Sequence, residues 1–140
     1  MSQENLKIVE SVHDHYSKKE LDEAAAVIAD QFQWTVVAFG MTMNGREGFN
    51  QGFMGFATAF PDSQIHQKNA VVNGDQVVIE YDFVGTHSGP LATPTGPVPP
   101  TGKSVNIPGI EVYQLQNGKV ISLRTYFDAA TMMRQLGLIS

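Results

Sequence analysis

VVNGDQVV, residues 71–78, places an Asn-Gly pair between two runs rich in β-branched residues. A second pair lies in QLQNGKVI, residues 114–121. Asn-Gly is the strongest two-residue signal for a β-hairpin, because both residues accept a positive φ. We therefore predict two antiparallel hairpins, with strands over 64–72 and 76–87 and over 103–115 and 119–127.

The N-terminal part of the chain has helical spacing instead. Apolar residues spaced three and four apart predict a helix over 3–18, and a second helical segment follows over about 19–29. Residues 32–39 are rich in aromatic and β-branched residues and predict a strand. A third helix is predicted over 46–60, ended by Pro61, because four phenylalanines share one of its faces: Phe49, Phe53, Phe56 and Phe60.

The last segment, DAATMMRQLG, predicts a short helix with Asp128 at its N-cap and Gly137 as its stop. Helices gather at the start of the chain and strands near its end, which indicates an α+β fold. The length of 140 residues fits one domain over 1–140. Five of the seven prolines lie in SGPLATPTGPVPPTG, residues 88–102, which we expect to be a mobile rim outside the core.

Composition excludes several classes of function. The net charge of −5 argues against binding to nucleic acid or to an anionic membrane surface. No apolar run approaches the roughly 18 residues of a membrane span, and the N-terminus has no signal-peptide core. The absence of cysteine excludes disulfides and thiolate chemistry and fits a cytoplasmic location. Because the histidines also lack metal-ligand spacing, we expect no metal and no cofactor.

The strand over 77–87 assigns His87 to an inward face. Alternate residues share a face of a strand, and the apolar, aromatic face here consists of Val77, Ile79, Tyr81, Phe83, Gly85 and His87. His87 is therefore either a residue at the rim of a pocket, bonded to backbone, or a functional group that faces the pocket.

The last strand and the strand before it each lead to a carboxylate that could face the pocket. If Val120, Ser122, Arg124 and Tyr126 face inward, Asp128 enters the pocket with them; otherwise Asp128 is a helix cap. We expect Asp128 and His87 to lie within about 10 Å of each other, and apolar burial to raise the pKa of Asp128. Glu111 shares a face with apolar residues over 105–113 and is either a second pocket carboxylate or, as this residue type favours, an exposed charge.

Four motifs carry a family resemblance: FPDSQ at 60–64, GTHSGP at 85–90, PPTGKSV at 99–105 and YFDAATMMRQLG at 126–137. With the helical start, they make the chain resemble the SnoaL-like polyketide cyclases of the nuclear transport factor 2-like superfamily. The resemblance implies a cone of N-terminal helices packed on a curved antiparallel sheet, with a pocket between them. It also implies a cofactor-free aldol cyclisation, in which an aspartate that corresponds to Asp128 is the acid/base, and in which His87 lines the same pocket.

The resulting hypothesis is a lyase or isomerase that transfers a proton next to a carbonyl of a hydrophobic small molecule. Asp128 would move the proton, and His87 and Tyr126 would hydrogen-bond the enolate oxygen. The remaining candidate substrate-binding residues are Tyr16, Trp34, Phe53, Tyr81 and Glu111. The alternatives are a pocket that binds a hydrophobic metabolite without turnover, and an epoxide hydrolase-like enzyme, which needs a second carboxylate.

The outer face of the last strand predicts a homodimer. If the polar set of that strand faces inward, Ile121, Leu123 and Phe127 face outward, and such an apolar patch marks an interface.

Overall fold

The computed structural model describes residues 2–140. The helices are α1 (Ser2–Ser17), α2 (Leu21–Ala25), α3 (Gly45–Ala59) and α4 (Ala129–Gln135), and a 3₁₀ turn spans Val37–Phe39. The strands are β1 (Ile28–Val36), β2 (Met41–Asn44), β3 (Gln64–Asn73), β4 (Gln76–Thr86), β5 (Leu91–Thr93), β6 (Gly96–Val98), β7 (Ser104–Gln116) and β8 (Lys119–Phe127). The predicted second helix is shorter than expected, and the first strand begins and ends earlier.

Six strands form one curved sheet in the order β2-β1-β8-β7-β4-β3, and β5 and β6 form a separate hairpin. The predicted α+β fold is confirmed, with helices packed against the sheet. The sheet was predicted to be antiparallel, and this detail is wrong because the sheet is mixed. β1 runs parallel to β8, whereas every other pair of neighbouring strands in the six-stranded sheet is antiparallel.

Both hairpins are present, but their turns differ. In the second hairpin Gln116 pairs with Lys119, and the two loop residues Asn117 and Gly118 both have positive φ. In the first hairpin the loop is Gly74–Asp75, one residue later than the Asn-Gly pair, and Gly74 has a positive φ. A glycine at the first loop position is the other common solution for a two-residue hairpin.

A β-bulge at Ile121 reverses the predicted faces of β8. Leu115 pairs with Val120 and Gln114 with Ser122, which leaves Ile121 as an extra residue. Because an inserted residue shifts the alternation, Val120 and Leu123 both face the core, although an odd number of positions separates them. Leu123, Thr125 and Phe127 therefore lie on the inner face, and Tyr126 lies outside. The apolar outer patch from which a homodimer was predicted does not exist in that form, so the dimer stays a prediction without that support.

The phenylalanines of α3 pack toward the sheet, as their spacing predicts. Phe49 and Phe53 are buried, and Trp34 of β1 lies against Phe49 with ring centroids 5.8 Å apart. Gly52 allows this approach, because a Cβ at Gly52 would lie 2.4 Å from the Trp34 ring. This glycine thus exchanges helix propensity for close packing.

The expectation that residues 88–102 lie outside the core is wrong. This segment contains β5 and β6, and Leu91 is buried in a cluster with Phe60 and Met132. The backbone N–H groups of Ser88 and Gly89 both donate to the Ala59 carbonyl at the end of α3. The start of the segment is therefore fixed to the helix layer.

Candidate functional site

A pocket lies between the helices and the concave face of the sheet, and we call it the aromatic pocket. Its empty space amounts to about 560 Å³, including its mouth. The hydroxyl and carboxyl groups among its lining residues are those of Tyr16, Tyr81, Glu111 and Thr125. The apolar wall consists of Trp34, Phe56, Phe60, Ile65, Phe83, Ile107, Phe127 and Met132.

Glu111 is the buried carboxylate of this pocket, so the first of its two predicted alternatives is correct. Its side chain projects from β7 and accepts three hydrogen bonds. Oε1 accepts from His13 Nε2 at 2.6 Å and from the Tyr113 hydroxyl at 2.7 Å. Oε2 accepts from the Thr125 hydroxyl at 2.7 Å. A buried carboxylate requires such partners, because burial without them is costly.

These partners determine the charge of Glu111. Burial raises the pKa of the carboxyl, but the hydrogen bond and positive charge of His13, together with the hydroxyls of Tyr113 and Thr125, outweigh burial. The net effect lowers the pKa of Glu111, so the group is a carboxylate at neutral pH.

His13 is the residue of this candidate site that sequence reasoning missed. It is buried on α1, edge-on to Tyr81 with ring centroids 5.5 Å apart. Its second nitrogen, Nδ1, lies 3.0 Å from the amide nitrogen of the exposed Gln67. Gln67 thus contacts one nitrogen of the ring while Nε2, the other nitrogen, faces Glu111. The signal in the sequence was the spacing of Val9, His13 and Tyr16 on one helix face, but nothing local identifies the partner of His13.

Tyr81 presents a hydroxyl to the pocket. It lines the pocket, and none of the hydrogen bonds found among residues 2–140 uses its hydroxyl. Burial and the nearby Glu111 charge raise the pKa of Tyr81 well above its ordinary value, so it remains a hydrogen-bond donor. Gly109 makes room for it, because a Cβ there would lie 2.7 Å from the Tyr81 oxygen.

The other predicted wall residues also lie near the pocket. The Trp34 indole N–H donates to the Thr125 hydroxyl at 2.9 Å, which extends the hydrogen-bond chain to Glu111. The Tyr16 hydroxyl pairs with Ser63 at 2.7 Å, and burial raises its pKa. Phe53 is buried edge-on against Tyr16, with centroids 5.0 Å apart. Phe53 thus supports the wall from behind.

Asp128 does not face the aromatic pocket, and the prediction that it would is wrong. It is exposed at the N-cap of α4, where Oδ1 accepts from the Thr131 backbone N–H at 3.0 Å and Oδ2 from the Thr131 hydroxyl at 2.6 Å. The Thr131 hydroxyl and backbone N–H lower the pKa of Asp128, contrary to the predicted rise. The bulge in β8 is the physical reason, because the extra residue exchanges the faces of the side chains that follow it.

Tyr126 is displaced by the same bulge. Its side chain is 42% exposed on the outer face of the sheet, beside Asp128 in a shallow groove. It therefore cannot hydrogen-bond a molecule in the aromatic pocket.

His87 is buried on the inner face, as predicted, but its contacts differ from those of a pocket residue. Its Nδ1 accepts from the Thr101 backbone N–H at 3.2 Å and lies 3.0 Å from the Thr101 hydroxyl. Its ring packs on Phe60, with centroids 5.4 Å apart. Burial lowers the pKa of His87, which fits a neutral ring that accepts at Nδ1. The histidine thus joins the end of β4 to the end of the 88–102 segment.

Within residues 2–140, no group of three or more His, Asp or Glu side chains could hold a metal ion. No helix in the same range is long and apolar enough to cross a membrane.

The fold is that of the nuclear transport factor 2 and ketosteroid isomerase class. The family model of the SnoaL-like polyketide cyclases matches residues 7–136, so the chain belongs to that family. Among curated proteins, none matches the chain significantly in sequence.

Solved structures agree on the fold. A protein from Jannaschia sp. assigned as a SnoaL-like polyketide cyclase is 22% identical, with a TM-score of 0.87, over 99% of this chain and 95% of that chain. IdmH from Streptomyces antibioticus, assigned as a polyketide cyclase, is 22% identical with a TM-score of 0.78, over 95% and 98%. A protein of ketosteroid isomerase-like fold from Catenulispora acidiphila, bound to trimethylamine, is 19% identical with a TM-score of 0.79, over 94% and 93%. At these identities the likeness concerns the fold alone.

Proposed function

We propose that the protein binds an apolar carbonyl compound in the aromatic pocket and transfers a proton at the carbon next to the carbonyl, with Glu111 as the base. The observation that carries this proposal is the open position on Glu111. A carboxylate offers about four lone-pair positions, and His13, Tyr113 and Thr125 occupy three of them. The remaining position belongs to Oε2, on a residue that lines the pocket.

The pocket also holds a donor for the charge that develops. Removing a proton next to a carbonyl places negative charge on the carbonyl oxygen, and a fixed donor at that oxygen lowers the barrier. The Tyr81 hydroxyl has no hydrogen-bond partner among residues 2–140, and burial and the Glu111 charge raise its pKa, so it keeps its proton. Tyr81 would therefore donate the hydrogen bond to the enolate oxygen, the role that the sequence analysis assigned to His87 and Tyr126.

His13 and Gln67 hold the base in place. Nε2 of His13 donates to Oε1, and the Gln67 amide contacts Nδ1 on the other side of the ring. The hydrogen bond from His13 helps to lower the pKa of Glu111, so the group is charged at neutral pH and its Oε2 can take up a proton and return it. General acid-base catalysis of this kind typically contributes about 10²–10⁴-fold in rate.

The family suggests which reaction this proton transfer serves. Aldol cyclisation and isomerisation both begin with removal of the same proton, and the related structures assigned as polyketide cyclases favour the first. We propose aldol cyclisation of an apolar diketone or keto ester without a cofactor or metal. The carbon that Glu111 deprotonates bonds to the second carbonyl carbon of the same molecule, and the oxygen of that carbonyl takes up the proton.

Two other functions compete with this one. Binding without turnover is favoured by the largely aromatic wall of the pocket. Epoxide hydrolysis needs a second carboxylate, and among the described residues that line the pocket Glu111 is the one acidic group.

Hydrogen–deuterium exchange distinguishes these functions. The protein is incubated in D₂O with 2-tetralone, a bicyclic apolar ketone, and loss of the α-proton signals is followed by NMR. Quenching of Trp34, the single tryptophan, reports binding separately. Binding with accelerated exchange supports the proposal, whereas binding with exchange at the buffer rate favours a non-catalytic pocket. The absence of quenching contradicts both.

A further inference from the structure

A second apolar pocket borders the aromatic pocket at Phe56, and we call it the methionine pocket. It is formed by α3, the β1–β2 connection and β5, with about 460 Å³ of empty space including its mouth. Its apolar side chains are Val36, Phe39, Met41, Met43, Phe56 and Leu91.

Only a thin layer of aromatic rings separates the two pockets. Phe56 lines both of them and is itself partly exposed. Beside it, Phe39 of the methionine pocket lies edge-on to Phe127 of the aromatic pocket, with centroids 5.4 Å apart. Partly exposed rings of this kind can change rotamer without disturbing the buried core.

Glycine on α3 keeps the methionine pocket open. Gly55 lines the pocket, and a Cβ there would meet no atom within 4 Å, so a larger side chain at this position has room to extend. A helix that needed only stability would carry alanine there, because glycine costs about 1 kcal/mol in a helix interior.

The lining determines what can enter. Gln51 contributes the one polar side chain among the residues that line the pocket, and it is exposed. Methionine side chains are flexible and polarizable, and they adapt to apolar groups of different shape. The chemistry therefore fits an alkyl chain or ring and offers nothing to a charged group.

We infer that the methionine pocket receives the distal apolar part of the same molecule whose carbonyl lies in the aromatic pocket. This inference rests on the proposed function. The substrate class is thus an elongated ketone or keto ester, with a carbonyl at Glu111 and Tyr81 and an apolar tail that passes Phe56. A compact ketone would occupy the aromatic pocket alone.

A series of phenyl alkyl ketones, from acetophenone to tails of increasing length, tests the inference through Trp34 quenching. Each added CH₂ that is buried should increase affinity about fourfold. In the wild type we expect this gain to continue as the tail enters the methionine pocket. Gly55→Leu fills that pocket from the helix, and Ala92→Phe fills it from β5. In both variants the affinity ratio of long to short ketones should fall.

Thr58→Leu is the matched control, because it adds the same leucine at an exposed position of α3 outside both pockets. It should keep the wild-type ratio. If acetophenone binds but longer tails bring no gain, or if the gain survives in both filled variants, the inference is wrong while the proposed function stands. If acetophenone fails to quench Trp34, the proposed function fails and the inference fails with it.

Discussion

The carboxylate of Glu111 and the imidazole of His13 lie 2.6 Å apart, both buried, although 98 positions separate them in the chain. One is on the central strand β7 and the other on the first helix, so their contact joins the two layers of the fold. Removing one partner leaves the other polar group buried without its hydrogen bond.

His13→Leu should therefore destabilise the protein by about 3–5 kcal/mol, because it leaves the Glu111 charge uncompensated. The double variant His13→Leu/Glu111→Leu should lose less than the sum of the two single variants. Urea unfolding of the four proteins measures this coupling. Additive losses would show that the pair is not energetically coupled.

Stability at low pH should also depend on Glu111. Its pKa in the folded protein is below the ordinary value of 4.5, so the unfolded chain binds the proton first. The stabilisation is complete above pH 4.5 and is lost as the pH falls through the folded pKa. Between pH 6 and pH 3 the Tm of Glu111→Gln should fall less steeply than the Tm of the wild type. Parallel curves of Tm against pH would contradict this.

His87 predicts a pH dependence in a different range. Its pKa is lowered from 6.5 in the folded protein, so the unfolded state takes up a proton first as the pH falls below 6.5. Its contribution is therefore complete above pH 6.5 and declines below that value. His87→Asn keeps an acceptor for the Thr101 N–H and cannot titrate there. The difference in Tm between the wild type and His87→Asn should change between pH 7.5 and 5. A constant difference would contradict a lowered pKa of His87 in the folded protein.

Two glycines of α3 should respond oppositely to the same substitution. Gly55→Ala should stabilise the protein by about 1 kcal/mol, because its Cβ meets open space and the helix gains propensity. Gly52→Ala should destabilise it by about 1–3 kcal/mol, because its Cβ would overlap the Trp34 ring. Chemical denaturation measures the free energy of unfolding of both variants. Equal effects would contradict the difference in packing between the two glycines.

Most of the fold could be predicted from local patterns, and so could four residues of the pocket, Tyr16, Trp34, Tyr81 and Glu111; the hydrogen bonds that join them could not. The two hairpins follow from turn chemistry, and α3 follows from its phenylalanine spacing. Alternation in β7 puts Glu111 on the face of Ile107 and Tyr113, but its distant partner His13 has no signal in the neighbouring sequence, so the sequence alone favours an exposed charge. In β8 the bulge at Ile121 exchanged the two faces. Strict alternation therefore brought Tyr126 and Asp128 inward when they lie outside.

The central claim is that Glu111, and not Asp128, is the base. The most direct measurement compares α-proton exchange of 2-tetralone in D₂O for the wild type, Glu111→Gln and Asp128→Asn. Glutamine keeps the size of the side chain at position 111, and asparagine is as good a helix cap as aspartate, so both variants should fold. We predict a loss of about 100-fold or more in Glu111→Gln and the wild-type rate in Asp128→Asn. Exchange that survives in Glu111→Gln and disappears in Asp128→Asn would contradict the account.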